Sequence, residues 1–300
     1  RCTVGYAECL QGRIGAWHAA LGALRPHPGQ QEVHRRLLAL AEGSGRLIAE
    51  SPAYLPGNVD DATPVYDSHV IPQDPYTIRC APQLYGAVLD VIDWHNATVN
   101  REINAVTDNP VFEPETDEFL HGGNFYGQHV AFASDALSNA LIKLAVHNER
   151  SVARLTDENQ NGSLPAFLQG RDTGLHSGLM GAQVSASALI GELRTLAQPA
   201  SIQSVPTNAN NQDVVTMGTI AARKTADVLT RVHELQAITA LAVAQAMDLL
   251  GLDPFSPAST ALHAWVRQYS DPITDDRPVY RDIERLVSAL AAGSAHDSGI

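Results

Sequence analysis

The chain has 300 residues, 44% of them apolar, with Lys plus Arg 20 against Asp plus Glu 33 and a net charge of −13. That is ample core material for one large domain or two. It argues against nucleic-acid and anionic-membrane partners, which both ask for a basic face.

Cys2, Cys9 and Cys80 are odd in number and lack metal-ligand spacing, which fits a reducing, cytoplasmic setting. The chain opens on Arg1 and its first methionine is Met180. Initiator methionine is normally removed only before a small residue, so the expectation is a piece of something longer or a product of cleavage.

Residues 1–24 carry an Ala/Leu-rich helical pattern that ends at the breakers Pro26, Pro28 and Gly29. A second helix is expected over 30–42, with Val33, Leu37, Leu38 and Ala41 on one side. Five prolines and no periodicity make 51–75 a long loop, and such loops are often functional. Pro82 suits the start of a helix carrying Leu84, Val88, Ile92, Val99 and Ile103, expected to end near Asp108-Asn109-Pro110. Residues 111–125 are the one place for a small hairpin, turning around Pro114 to Asp117, before the tight turn Gly122-Gly123-Asn124.

Further helical patterns run from Val130 toward Arg154 and from about Ser177 to Ala197. A long one starts near Asp213, an acidic residue suited to a helix start, and reaches Leu250. Apolar residues surround it beyond Ala237, so other helices should enclose it. Its uncharged run, 235–247, is too short to span a bilayer and is interrupted by Gln236, Thr239 and Gln245. A loop over 251–260 and a helical pattern over 279–292 complete the reading: an all-α bundle of long helices with polar loops at its ends.

Three stretches carry candidate chemistry. Tyr76 and Arg79 are three apart in IPQDPYTIRCAPQ and share a face if the segment turns helically. The Arg fork matches a carboxylate with two parallel hydrogen bonds, the Tyr hydroxyl serves proton transfer or orientation, and Gln73 and Gln83 add amides. Each residue also suits a purely structural role. Residues 198–224 place Gln203, Asn208, Asn210, Asn211 and Gln212 on one proline-marked loop, either a ligand-holding loop or a turn bonding its own backbone. GGNFYG at 122–127 lacks the preceding strand and following lysine of a phosphate loop. Its Phe125 and Tyr126 suit an aromatic ligand or a core plug. The twelve histidines are scattered without HExxH, and no G-x-S-x-G occurs, so neither a metal site nor a serine hydrolase is suggested.

The segments QDPYTIRCAPQ (73–83), NAVTDNPVF (104–112), HGGNFYGQHVAFASD (121–135), LPAFL (164–168), GLHSGLMGAQVSASAL (174–189) and PASIQSVPTNANNQDVVTMGTIAARK (199–224) resemble, in order, the aromatic amino acid ammonia-lyase and 2,3-aminomutase family. The similarity is greatest to bacterial tyrosine lyases or aminomutases.

The resemblance implies an all-α fold and a homotetramer whose long helices form a shared bundle. It implies elimination of ammonia from an aromatic L-amino acid of the Tyr or Phe type to give an arylacrylate, or return of the amine to the β-carbon. The cofactor implied is methylidene-imidazolone (MIO), an electrophile made from an internal Ala-Ser-Gly, to which the substrate amine adds.

By the same resemblance Arg79 is the carboxylate clamp and Tyr76 the tyrosine that orients substrate and electrophile, with Gln73 beside them. Phe125 lies near the electrophile and substrate, and Asn208, Asn211 and Gln212 form a substrate-binding amide cluster. Histidine lyases typically carry Glu at the position of Gln212, so Gln leans toward a phenyl or phenol side chain.

No Ala-Ser-Gly occurs in these residues. The family's base tyrosine and its substrate-sorting pair also precede the matched segments. The expectation is the C-terminal part, residues 1–300, of one lyase-type helical domain. Its MIO would come from a missing N-terminal segment or a partner polypeptide, and the chain would be active only with it. The alternative is a non-catalytic scaffold or regulatory subunit of the same fold, against which the presence of Tyr76, Arg79 and Phe125 together argues.

Overall fold

A computed structural model describes residues 1–49, 73–171 and 174–293. Residues 51–72 of the expected proline-rich loop lie outside the described residues.

Helix α8 (Gly218–Leu250) is the axis of the bundle, and every residue from 237 to 247 is buried. Alanines at 237, 240, 242, 244 and 246 let neighbouring helices approach closely, while Leu235, Leu241 and Met247 fill the space between them. Helix α6 (Gln128–Thr156) lies along α8. Thr225 Oγ1 donates to Ser134 O at 2.8 Å, Lys224 Nζ meets Asp135 Oδ1 at 2.6 Å, and Asn148 Nδ2 donates to Gln236 Oε1 at 2.7 Å. From the 134–135 and 224–225 contacts to the Asn148–Gln236 bond, residue number rises along both helices, so α6 and α8 are parallel and start from one common end.

Helices α1 (Cys2–Cys9), α7 (Met180–Thr195), α9 (Pro257–Val266) and α10 (Tyr280–Ala291) also pack on α8. On the far side of α6, helix α5 (Ala81–Glu102) packs against both α6 and α3 (Pro28–Ala41). The α3–α5 crossing requires glycine: a Cβ on Gly86 would lie 2.4 Å from the Gln30 Cα. Strands β1 (Val111–Glu113) and β2 (Glu118–Leu120) pair antiparallel with Phe112 opposite Phe119. The hairpin therefore falls where the turn residues place it.

Four details depart from the sequence reading. The first pattern breaks into α1, a 3-10 turn (Ile14–Trp17) and α2 (Ala19–Leu24), because Gln11 takes a left-handed φ of 52°. Helix α5 stops at Glu102, ahead of the Asp-Asn-Pro turn, and Ile103 is 71% exposed. Helix α8 begins at Gly218 rather than near Asp213. Thr207 and Gln212 close a small loop (N to O 3.0 and 3.3 Å) around a 3-10 turn (Asn208–Asn210), and Met217 has a φ of 55°, so α8 does not extend back past it. Finally, α9 occupies part of the stretch read as loop, capped by Ser256, whose Oγ accepts from Ser259 N at 3.2 Å.

Candidate active site

Helix α4 (Tyr76–Arg79) is a single turn between Pro75 and the start of α5. It places Tyr76 and Arg79 together, with the guanidinium carbon 4.5 Å from the centre of the Tyr76 ring. Arg79 is half-buried and its Nε donates to Asp74 O at 2.9 Å. Its Nη1 and Nη2 have no hydrogen-bond partner among the described residues. That leaves the end-on pair of donors that a carboxylate accepts in parallel.

The turn is pinned from several sides. Asp74 Oδ1 takes Arg13 Nη1 at 2.7 Å and Oδ2 takes Arg13 N at 2.5 Å, so the residue that tethers Arg79 is itself fixed. Pro82 has no N–H to offer Ile78 O, and the indole of the fully buried Trp17 donates to that carbonyl at 2.9 Å instead. Tyr6 OH pairs with Thr77 Oγ1 at 2.7 Å, and burial pushes the Tyr6 phenol up to about 12. His147 Nε2 meets Thr77 O at 2.8 Å. Nearby, Gln83 Oε1 is buried with no partner among the described residues. Gln73 is exposed just ahead of the turn.

The remaining candidates lie elsewhere. Phe125 is 54% exposed in the turn before α6. That turn is tied to the Asp-Asn-Pro segment by Gly122 N donating to Asn109 Oδ1 at 2.8 Å. The amide loop is exposed at Asn208, Asn211 and Gln212, and Gln212 Oε1 accepts from Thr207 Oγ1 at 2.6 Å. Asn208, Ala209 and Asn210 all take left-handed φ between 51° and 65°.

The base of this loop is fixed to α6 and α8. Ser201 N donates to Asp135 at 2.7 Å, Gln128 Nε2 to Ser201 O at 3.2 Å, and Lys224 Nζ to Gln198 O at 2.6 Å. Phe125 and the amide loop therefore occupy the starting end of the α6–α8 pair.

Tyr76 and Arg79 do not share that end. Thr77 is held by His147, nineteen residues into α6 from Gln128, which at 1.5 Å per residue is on the order of 25–30 Å along the helix. The candidates thus form two groups, a clamp and an amide–aromatic end, too far apart in one chain for a single amino acid to touch both. Grooves beside α10, one lined by Leu189, Ile238 and Val287 and one by Tyr269 and Arg285, contain none of these side chains. Among the described residues no helix is long and apolar enough to cross a membrane.

The fixing residues Arg13, Asp74, Tyr6, Trp17 and His147 were not legible as site residues. Buried Tyr and Trp need a partner for their polar tips, which is the one signal they carry.

The family model for aromatic amino acid lyases matches residues 2–268. A tyrosine ammonia-lyase of Cereibacter sphaeroides is 49% identical over 95% of this chain and 54% of its own length. A histidine ammonia-lyase of Symbiobacterium thermophilum is 42% identical over 96% of this chain and 53% of its own. An MIO-dependent tyrosine 2,3-aminomutase of Streptomyces globisporus is 40% identical over 90% and 50%. The crystal structure of tyrosine aminomutase from that species superposes with a TM-score of 0.92 at 38% identity, over 99% of this chain and 57% of that one. The chain spans about half the length of the curated relatives it matches. On the motifs, the helical fold and these matches, the chain belongs to the aromatic amino acid lyase family.

Proposed function

We propose that these residues form the carboxylate-binding and helix-bundle part of an ammonia-lyase or 2,3-aminomutase acting on an aromatic L-amino acid of the Tyr or Phe type, with its complete site assembled from more than one polypeptide. The observation that carries this is the pairing of Tyr76 with an Arg79 whose two Nη groups lack a hydrogen-bond partner among the described residues while its Nε is held by Asp74 O.

The clamp's contribution is orientation. Two charge-assisted bonds from Nη1 and Nη2 to one carboxylate fix both the distance and the plane of the amino acid, at about 1.5–3 kcal/mol each. The Tyr76 ring against the guanidinium restrains its tilt and leaves the phenol hydroxyl beside the same ligand. At the other group, Phe125 offers a flat apolar face and the amides of Asn208, Asn211 and Gln212 offer donors and acceptors.

Those donors and the Tyr76 phenol suit the carbonyl oxygen of an imidazolone, so the residues present fit the MIO group that the aminomutase relative's name specifies. MIO supplies an electrophile for the substrate nitrogen and so activates the C–N and β-C–H bonds. Its Ala-Ser-Gly source does not occur in residues 1–300, so the electrophile would come from a missing N-terminal segment or from a partner polypeptide. The two-group separation supports assembly of several copies, the tetramer of the family, in which one copy's clamp faces another's amide–aromatic end.

The test is turnover of Phe, Tyr and His by the purified 300-residue chain and by the same chain supplied with an Ala-Ser-Gly-bearing partner segment. Arylacrylate or β-amino acid should form only with the partner. Robust product from these residues alone would falsify the need for it. A partnered assembly in which Arg79→Ala leaves the rate and Michaelis constant unchanged would point instead to a scaffold.

A further inference from the structure

We propose that His147 is a positioning residue for the clamp: it fixes the one-turn helix α4 to the central bundle and thereby sets where Arg79 presents its Nη groups. The proposal rests on the reading of Arg79 as a carboxylate clamp.

His147 is 5% exposed in the second half of α6, the helix that lies along α8. Both ring nitrogens are engaged. Nε2 is 2.8 Å from Thr77 O, and a carbonyl only accepts, so Nε2 carries the hydrogen. Nδ1 is then bare and accepts from Tyr85 OH at 3.0 Å, and Tyr85 OH accepts in turn from Thr3 Oγ1 at 2.9 Å. The tautomer is fixed by its neighbours from α1, α4 and α5 together.

Burial lowers the His147 pKa and pushes the Tyr85 phenol up, so both groups remain neutral around pH 7 with this order of donors intact. The Tyr85 and His147 rings also meet, with centroids 4.9 Å apart and a 60° tilt, which restrains ring rotation.

The role of this bond follows from which part of the fold each partner of α4 belongs to. Four residues make one turn with few internal hydrogen bonds, so its position depends on outside partners. Trp17 holds Ile78 O and Arg13 holds Asp74, both from the segment that follows α1, and Tyr6 OH of α1 pairs with the Thr77 hydroxyl. His147 holds Thr77 O, the carbonyl midway between the two clamp residues, from the bundle itself. The bundle helices also carry this copy's amide–aromatic end, so this bond fixes the clamp relative to the helices whose ends, in the proposed assembly, serve the other copies' clamps. A displacement of about 1 Å at such a point is worth up to roughly a hundredfold in rate.

The experiment compares His147→Leu, which removes both bonds, with His147→Gln, whose amide N–H reaches toward Thr77 O, in the assembled enzyme. The readout is the ratio of inhibition constants for 4-hydroxycinnamate and its primary amide, which differ only in the carboxylate. His147→Leu should reduce carboxylate preference at least about tenfold and raise the Michaelis constant, with His147→Gln restoring most of it. Tyr85→Phe, which keeps the ring and deletes one bond, should show a smaller loss in the same direction and serves if His147→Leu does not fold. Wild-type preference in His147→Leu or Tyr85→Phe, with only thermal stability reduced, overturns the proposal. Arg79→Ala is run alongside. If it too retains the preference, the clamp reading itself fails. If it alone loses the preference, only the role of His147 falls.

Discussion

Lys224 of α8 holds its ammonium 2.6 Å from the carboxylate of Asp135 in α6, and this pair joins the two central helices at the base of the amide loop. Burial alone would raise the Asp135 carboxyl, but the Lys224 and Ser201 hydrogen bonds outweigh it and hold the pKa below the usual carboxylate value. A depressed folded-state pKa stabilises above the unfolded value, about 3.9, and that contribution is lost as pH falls through the lower folded value. Asp135→Asn should therefore be less stable at neutral pH and lose less on acidification below about pH 4, read from urea midpoints across the acid range. Lys224→Met leaves a buried carboxylate without its partner. Its cost should lie toward the lower end of about 3–5 kcal/mol, since the Lys224 side chain keeps 14% exposure.

Two glycine substitutions should move stability in opposite directions. Gly86→Ala drives a methyl into the backbone of α3 at Gln30 and should cost about 1–3 kcal/mol. Gly191→Ala, in α7 with open space around the added carbon, should gain about 0.5–1 kcal/mol. Melting temperatures of both variants in the same background check the pair, and equal shifts would contradict the close α3–α5 crossing.

Arg79→Lys keeps the charge and loses the planar fork. If clamp geometry matters more than charge, kcat/KM in the assembled enzyme should fall by roughly tenfold or more, with KM raised. A variant with wild-type kinetics would make Arg79 a point charge only.

What could be read from the sequence was what local rules govern. The enclosed half of α8 was legible because 37 proline-free residues become apolar on all sides beyond Ala237. The Tyr76–Arg79 pairing was legible because three-residue spacing shares a face on any helical turn. The start of α8 was not, because the acidic Asp213 suggests a helix start while the left-handed Met217 decides where one forms. Helix α9 starts at Ser256-Pro257, a cap-and-proline pair lying inside a stretch that otherwise reads as loop. The fixing of α4 by Arg13, Trp17 and His147 spans 61 to 70 positions, a pairing that no local pattern encodes. The distance between the clamp and the amide–aromatic end depends on the parallel packing of α6 and α8, which one sequence does not reveal.

The most direct test of the central claim, that one copy's clamp serves another copy's amide–aromatic end, is activity of a mixed assembly. One full-length polypeptide carries Arg79→Ala and the other carries Phe125→Ala with Asn211→Ala, each inactive alone. Co-expressed in equal amounts, they should recover measurable turnover, approaching about a quarter of wild type by random pairing of copies. A mixture as inactive as either parent, with mixed assembly confirmed by mass, would show that both groups must come from a single copy and would contradict the account.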